Sequence, residues 1–415
     1  MIPRAFLEEM FSEVVLACLP DRVMGSNLPD RPQGKTLVLG AGKASASMAA
    51  ALEAEWDGSL EGLVITRYGH SSPTNSIEVV EAGHPIPDNA GMMATNRIMS
   101  LARSAKKNDL VISLISGGAS SLLVAPAEGI TLQDKQAINR RLLEVGAPIE
   151  EINLVRRQLS AVKGGKLGQL IEPASSHTFI ISDVPDNDVY AVGSGPTIFN
   201  TNTNQHDALE IAAKYNLDLS PSIKKVLKDQ TFPVGSGAKN SISVLASSTE
   251  AIAVAKGFAI DRGITPFVIS DNLVGEAKKV AVDVANVITK ILTGELLVNR
   301  PCVVLSGGET SVTLPRNSGP GGRNTEFLLA LTLALSDVPD YTAIACDTDG
   351  IDGYGENAGA ITDGQSLHRA RLNGLNPENM LAEHQGYLFF KGLDDLLITG
   401  PTLTNVNDFR AVYLE

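Results

Sequence analysis

Short apolar runs that break at glycines and resume as helix recur along this chain, and that rhythm limits what it can fold into. The fullest example is Pro301–Phe327, PCVVLSGGETSVTLPRNSGPGGRNTEF. Val303–Leu305 is a β-branched, apolar run with the composition of a buried strand. Ser306-Gly307-Gly308 follows as a turn where backbone can approach an anion with no Cβ in the way. Gly319-Pro320-Gly321-Gly322 then leads through Arg323-Asn324-Thr325-Glu326 into the helical composition of Phe327–Leu331. Free N–H groups and a positive dipole end gather at such a helix entrance, and a planar guanidinium beside them can grip phosphate oxygens. A flexible hairpin before an ordinary helix is the competing reading. A lone glycine loop favours it, because short motifs recur by chance; repetition of the pattern shifts the balance.

The repetition is plain. Lys35–Leu39 runs into GAGKAS at 40–45 and a small-residue helix through Glu53. Gly62–Thr66 ends at Arg67. Asp109–Ile115 opens into Ser116-Gly117-Gly118-Ala119-Ser120-Ser121, and Thr178–Ser182 into Asp183-Val184-Pro185-Asp186-Asn187-Asp188. After the Pro/Gly/Ser cluster FPVGSGAK at 232–239 the rhythm restarts: strand Ile242–Leu245, a helix, strand Pro266–Ile269, a helix to Leu292, then the stretch described first. Thr342–Ala345 ends in Cys346-Asp347-Thr348-Asp349-Gly350-Ile351-Asp352. Alternating strand and helix predicts an α/β protein. A length of 415 residues allows two or three domains, and the cluster near 235 divides the chain into 1–235 and 236–415. Phe6, Met10, Val14 and Cys18 repeat every four residues and predict an opening amphipathic helix, counted with the first domain.

Charge excludes some functions. A net charge of −13 disfavours nucleic acid and anionic membranes, so an anionic substrate would need a local positive focus. The three cysteines form no CxxC pair, which argues against a disulfide framework or a zinc site and for buried thiols. Glu8, Glu9 and Glu13 interrupt any signal peptide, and Gly117, Gly118 and Pro126 break the uncharged run 110–127, so a soluble cytoplasmic protein is expected.

Three groups of residues carry chemistry. In GAGKAS, Gly40 and Gly42 start a dinucleotide fingerprint, but Ser45 replaces its third glycine and Arg67 stands where a ribose-binding acid belongs. Only NADP would suit that arginine. The spacing is not a P-loop either, which leaves Lys43 on a glycine turn: a surface lysine, or a point charge for a transferring phosphoryl group. In the second group, the backbone of Gly117 and Gly118 and the hydroxyls of Ser116, Ser120 and Ser121 can cradle phosphates; no GxSxG elbow supports a hydrolase. The third comprises Asp183, Asp347, Asp349 and Asp352 at strand ends, a setting that suits Mg²⁺ or, on the bland reading, turn capping. The basic run with Arg156, Arg157, Lys163 and Lys166 reads first as a solvated helix face, although Lys163-Gly164-Gly165 offers an anion contact. His84 and the other histidines lack ligand spacing.

Taken together, GAGKAS, SGGASSLL, NLVRRQLSAVKGGKL, ISDV with GSGPT, SGGETSVT, GPGGRNTEF, DTDGIDG with NAGA, and TGPTLTNVND closely resemble the type-II glycerate kinases (glycerate 2-kinases), whose C-terminal part is the MOFRL domain and some of which carry the label hydroxypyruvate reductase. The resemblance runs in order from about Leu37 to the C-terminus. It implies two α/β/α domains, Rossmann-like then mixed-sheet, facing a central cleft. It implies ATP-dependent, Mg²⁺-assisted phosphorylation of D-glycerate at O2, with Lys43 and Arg323 as the central catalytic positives. Asp183 is expected to join them or hold the metal. Gly40, Gly42, Ser116, Gly117, Gly118, Ser120, Ser121, Gly307, Gly308 and Glu309 are expected around the nucleotide phosphates, and Lys163, Asn324, Glu326 and Asp349 around the substrate, Asp349 being a second metal candidate. Arg323 is expected to wait in an open site with little part in folding. Two residues depart from the family pattern: Ala119 and Leu403 each stand where many relatives have glycine. An NADP-linked hydroxypyruvate reductase and a non-catalytic sensor of sugar-acid phosphates are the alternatives, and a homodimer is compatible with either.

Overall fold

The computed structural model describes residues 2–184, 188–199, 208–228, 233, 235, 239–314 and 318–415. The 232–239 linker and the loop after Asp183 therefore lie largely outside the described residues. By contacts the chain forms two units, Val23–Ser182 with Asn187–Leu245, and Met1–Arg22 with Asp183–Asp186 and Ala246–Glu415.

The first of these is built on a six-stranded sheet of β1 (Thr36–Ala41), β2 (Leu60–Arg67), β3 (Ile77–Ala82), β4 (Leu110–Ser116), β5 (Ser175–Ile181) and β6 (Asn240–Ala246). Its order is β3-β2-β1-β4-β5-β6, and β3 through β5 pair in parallel. This is the Rossmann-like order, in which the chain reverses beside β1 and ligands gather at the strands' carboxyl ends. β1 and β4 are buried along their whole length, as central strands covered on both faces must be, and so they read as unbroken apolar runs. Helix Asn89–Ser104 starts where the Asp88 carboxylate accepts from the Gly91 N–H at 2.9 Å. A separate helical layer packs Ile138, Leu142, Ile152, Val155 and Leu227 together. Its first helix, Leu132–Glu144, opens with a Thr131–Asp134 capping box.

The second unit holds β7 (Thr265–Ser270), β8 (Gly275–Glu276), β9 (Cys302–Ser306), β10 (Thr310–Ser311), β11 (Tyr341–Asp347), β12 (Gly359–Asp363), β13 (Leu396–Leu397) and β14 (Asp408–Leu414). Its main sheet runs β13-β12-β11-β14-β9-β7, parallel only between β7 and β9. Helices Ala277–Leu292 and Arg323–Ala334 cover it through Ala281, Ile288, Phe327 and Leu331. Cys18, Cys302 and Cys346 are free and buried, and burial pushes the Cys18 thiol up to about 12.

The opening helix does not belong where its position in the chain suggests. Pro3–Ala17 buries Phe6, Leu7, Met10, Phe11 and Val14, each side chain gaining roughly 2 kcal/mol of gross transfer energy. The partners are in the C-terminal half: Phe6 meets Phe258 and Tyr413 with centroids 5.4 and 5.6 Å apart, and Phe11 stacks on Phe409. A division at residue 235 counts the first 22 residues with the N-terminal half, whereas by contacts they group with the C-terminal half; the four-residue repeat tells which face is buried but not against what. Among the described residues no helix is long and apolar enough to cross a membrane.

Candidate active site

Each unit gathers its own set of polar groups at the ends of its central strands. In the first, β1 and β4 end side by side. The Lys43 N–H donates to the Gly117 carbonyl at 2.8 Å and the Ala44 N–H to Ser116 Oγ at 3.0 Å, tying one glycine turn to the other. Gly42 has φ +140°, and a Cβ there would lie 2.1 Å from Ser116 Oγ. Only glycine fits. Ser45 is fully buried and donates to the Ile65 and Gly42 carbonyls at 2.7 and 2.9 Å. The position of the third fingerprint glycine is thereby filled by a hydroxyl that bonds the sheet.

Gly118 takes the left-handed conformation, φ +81°, and Ala119 begins the short helix after it. The alanine therefore sits where no glycine conformation is needed, and the departure at 119 leaves the turn intact. Ser120 Oγ lies 3.1 Å from Ser194 Oγ. Lys163 is only 2% exposed; its ammonium donates to the Ser120 carbonyl at 2.7 Å, Ser120 Oγ at 3.1 Å and the Gly193 carbonyl at 3.5 Å. Burial, then Lys135 and Arg156, hold it well below the usual lysine range. Lys166 is tied to the Arg157, Gln158 and Ser160 carbonyls, so it caps the helix Ile149–Gln158. The basic run is no solvated face: burial lowers Arg156 and Arg157 as well.

The second unit assembles a denser constellation around Arg323. Its Nε donates to Asp408 at 2.8 Å, its Nη2 to Asp347 at 2.8 Å, and its Nη1 to Glu309. Asp408 also accepts from Asn324 Nδ2 at 2.7 Å and from Arg410. Burial alone would lower the guanidinium, but Asp408, Asp347 and Glu309 outweigh it and hold Arg323 well above its ordinary value. The arginine is thus the hub of three ion pairs, two of them to buried acids, not a charge waiting in an open site. Helix Arg323–Ala334 is fixed by Asp352, whose two oxygens accept from the Asn324 and Thr325 N–H groups at 2.9 and 2.8 Å. A Cβ on Gly322 would strike the Asp352 carbonyl at 2.1 Å, which explains the glycine before the helix. Burial raises Asp352 to about 6 against those two N–H bonds.

The other expected residues distribute as follows. Gly307 and Gly308 lie against Ser248 and Leu273, where a Cβ would approach within 2.1 and 2.3 Å. Asp349 gives its N–H to Asp347 Oδ1 at 3.0 Å, and its own Oδ1 accepts from the Ile351 N–H at 2.8 Å. Glu326 faces elsewhere, 3.0 Å from both Lys278 and His384. Asp183 keeps company with the C-terminal residues: it accepts from Asn405 Nδ2 at 3.3 Å, and its carbonyl from Asn407 Nδ2 at 2.6 Å. Leu403, in the same final loop, has φ +66°. That left-handed backbone explains a glycine at this place in the family pattern. Asp408 and Arg410, both nearly fully buried at the start of β14, were not foreseen, whereas Asp352 takes a capping role, the bland reading of the acidic set.

Against known proteins, the description "Domain of unknown function (DUF4147)" matches residues 6–228 and "MOFRL family" matches residues 302–408. A D-glycerate 2-kinase of Thermotoga maritima is 34% identical over 96% of this chain and 95% of its own length. The chain belongs to the type-II glycerate kinase family. A protein of Agrobacterium vitis with a provisional hydroxypyruvate reductase label, 48% identical over 92% of this chain and 100% of its own, matches this type-II glycerate kinase family member too. The solved structure of a Thermotoga maritima glycerate kinase superposes with a TM-score of 0.89 at 33% identity, covering 99% of each chain.

Proposed function

We propose that this protein is an ATP-dependent kinase that phosphorylates D-glycerate at O2, giving 2-phosphoglycerate and ADP. The observation that carries the reading is identity of 34% and 36% to proteins named D-glycerate 2-kinase and glycerate 2-kinase, over 96% and 90% of this chain. The geometry is compatible with it. Phosphoryl transfer asks for positioning and charge stabilisation rather than covalent help. Lys43 stands on a turn whose backbone is locked to the Gly117 carbonyl, and Arg323 is held by three carboxylates, so the guanidinium does not have to be organised during the reaction. Arg323 spends one N–H on each acid; a guanidinium has five, so two remain for phosphoryl oxygens. Glu309, whose side chain is 45% exposed, is the arm most readily exchanged for an incoming phosphate.

Mg²⁺ fits the donor set in a limited sense. No group of three or more acidic, histidine or cysteine side chains among the described residues makes a metal cage. Mg²⁺ bound with nucleotide needs only one or two carboxylates besides phosphate and water. Asp183 and Asp349 are hard carboxylate donors of that kind, and either can instead orient the glycerate hydroxyl. When bound, the ion would neutralise charge between the phosphates. We further read the protein as cytoplasmic and indifferent to nucleic acid, with small-molecule partners and a homodimer as its assembly.

The test is ADP release from D-glycerate and ATP, with the product passed directly to enolase. Only 2-phosphoglycerate gives phosphoenolpyruvate without a mutase. The reductase label of the Agrobacterium vitis relative supplies the second reading. NADPH oxidation by hydroxypyruvate, with no ADP formed from glycerate, would establish it. Ser45 and Arg67 at the fingerprint positions weigh against NADH and leave only NADPH as its cofactor.

A further inference from the structure

A cavity of about 480 Å³ opens beside the Gly117–Gly118 turn, wholly within the first unit. Lys135, Arg140, Arg156 and Lys163 line it, with no Asp or Glu among the lining residues. Two of these cations have visible duties. Lys163 is spent on Ser120 and Gly193, and Arg156 donates from Nε to Asn139 Oδ1 at 2.5 Å and from Nη1 to Asn153 Oδ1 at 3.5 Å. Lys135 has none. Its ammonium nitrogen is shielded from water and has no hydrogen-bond partner among the described residues. Burying an unpaired charge is costly, and this helix already holds to its neighbours through Ile138 and Leu142. A neutral side chain would serve the fold better. Burial, with Lys166 and Arg156 nearby, brings Lys135 down to about 7, so an arriving anion would also complete its protonation.

We propose that this cavity is the seat of the acceptor's carboxylate, with Lys135 and Arg156 as its cationic floor. The proposal rests on the kinase reading. A small carboxylate fits better than a triphosphate because Ile86, Leu132 and Leu143 give the cavity apolar walls, unsuited to a highly charged, strongly hydrated chain. The hydroxyl end has a natural direction. A Cβ on Gly118 would lie 2.9 Å from His84 Nε2 and 3.3 Å from Lys43 Cγ, so the cavity's glycine edge is also the edge of the Lys43 turn. A 2-hydroxy acid can therefore reach from the floor toward Lys43 in one short molecule. Lys135, Arg156 and His84 then act as specificity residues for the acid group.

The test compares wild-type protein with Lys135→Met, using D-glycerate and glycerol, which lacks the carboxylate. The expected result is a KM for D-glycerate raised roughly 10²-fold, as loss of a buried charge partner generally gives. KM for ATP and any turnover of glycerol should stay within about twofold, so that the preference for the acid collapses. A raised KM for ATP would show that the cavity holds nucleotide and would overturn the proposal, as would an unchanged KM for D-glycerate. Calorimetric titration with D-glycerate covers the case in which the wild type forms no ADP. Binding by wild type that is lost in Lys135→Met would then uphold the carboxylate seat while the kinase reading failed; no binding, or equal binding by both, would overturn the seat.

Discussion

Replacing Arg323 with alanine should damage folding and catalysis together, and the structure sets the size of the first effect. The side chain of Asp408 is 0% exposed and that of Asp347 is 5%; both lose their 2.8 Å partner. Asp408 retains Arg410 and Asn324, and Asp347 retains the Asp349 N–H. Removing one partner from a buried ion pair costs about 3–5 kcal/mol, because the surviving charge stays desolvated. The Glu309 arm is half exposed and adds at most about 1 kcal/mol. For a unit of this size the sum corresponds to a fall in Tm of roughly 6–24 °C. Calorimetry on the purified variant reads that fall, and ADP release under conditions where the variant remains folded reads kcat separately. A loss of about 10²–10⁴ in kcat is expected there, from removal of a preorganised charge. Arg323→Lys should recover part of the stability but little of the rate, since one ammonium cannot span three acids and a phosphoryl group. An alanine variant melting within 1–2 °C (about the scatter of such a scan) of wild type would refute the ion-pair account, even with kcat abolished.

Lys43→Ala should lower kcat by roughly 10²–10⁴ in the same ADP assay while the Gly42–Ser116 turn, made by backbone and serine, keeps Tm near wild type. Leu403→Gly should raise stability by about 1 kcal/mol, seen as a higher urea midpoint at unchanged slope, because it relieves a left-handed leucine. Lys135→Met should be more stable than wild type at pH 7, by up to about 5 kcal/mol, since the native pKa of about 7 lies far below the ordinary 10.5. Between those two values the unfolded chain holds a proton the native protein lacks, so wild-type stability climbs with pH and the gap to Lys135→Met closes toward pH 10.5. A gap that stays constant from pH 7 to 10 would contradict the buried ammonium.

How much of this could be read from the chain depended on whether a residue's role was local. β1, β4, β9 and β11 were legible because each is buried nearly end to end and stops at glycine or aspartate. β3 was not: Ile77-Glu-Val-Val-Glu-Ala is mixed in burial and offers no unbroken apolar run. β12 is five residues long and begins with a glycine required by the neighbouring strand, where a Cβ would meet the Ala345 carbonyl at 1.9 Å. Lys43 and Arg323 announced themselves by adjacent glycines. Asp408 lies 85 positions from the arginine it binds, and only the β14–β11 pairing brings it there. Arg156 looked solvated because a basic run on a helix usually is, and its burial depends on packing that the run itself does not show.

The opening helix has a consequence in time as well as space. Its partner Phe258 is made some 250 residues later, and Tyr413 later still. At roughly 5–20 residues per second, the helix leaves the ribosome with Phe6, Met10 and Phe11 unmatched for about 10–80 s. The sheet of the first unit can close during that interval; the other cannot, since one of its layers is already waiting upstream. A fragment starting at residue 246 would carry the opposite half of the same unmatched surface, and a peptide of residues 2–22 supplied separately would be its natural chaperone.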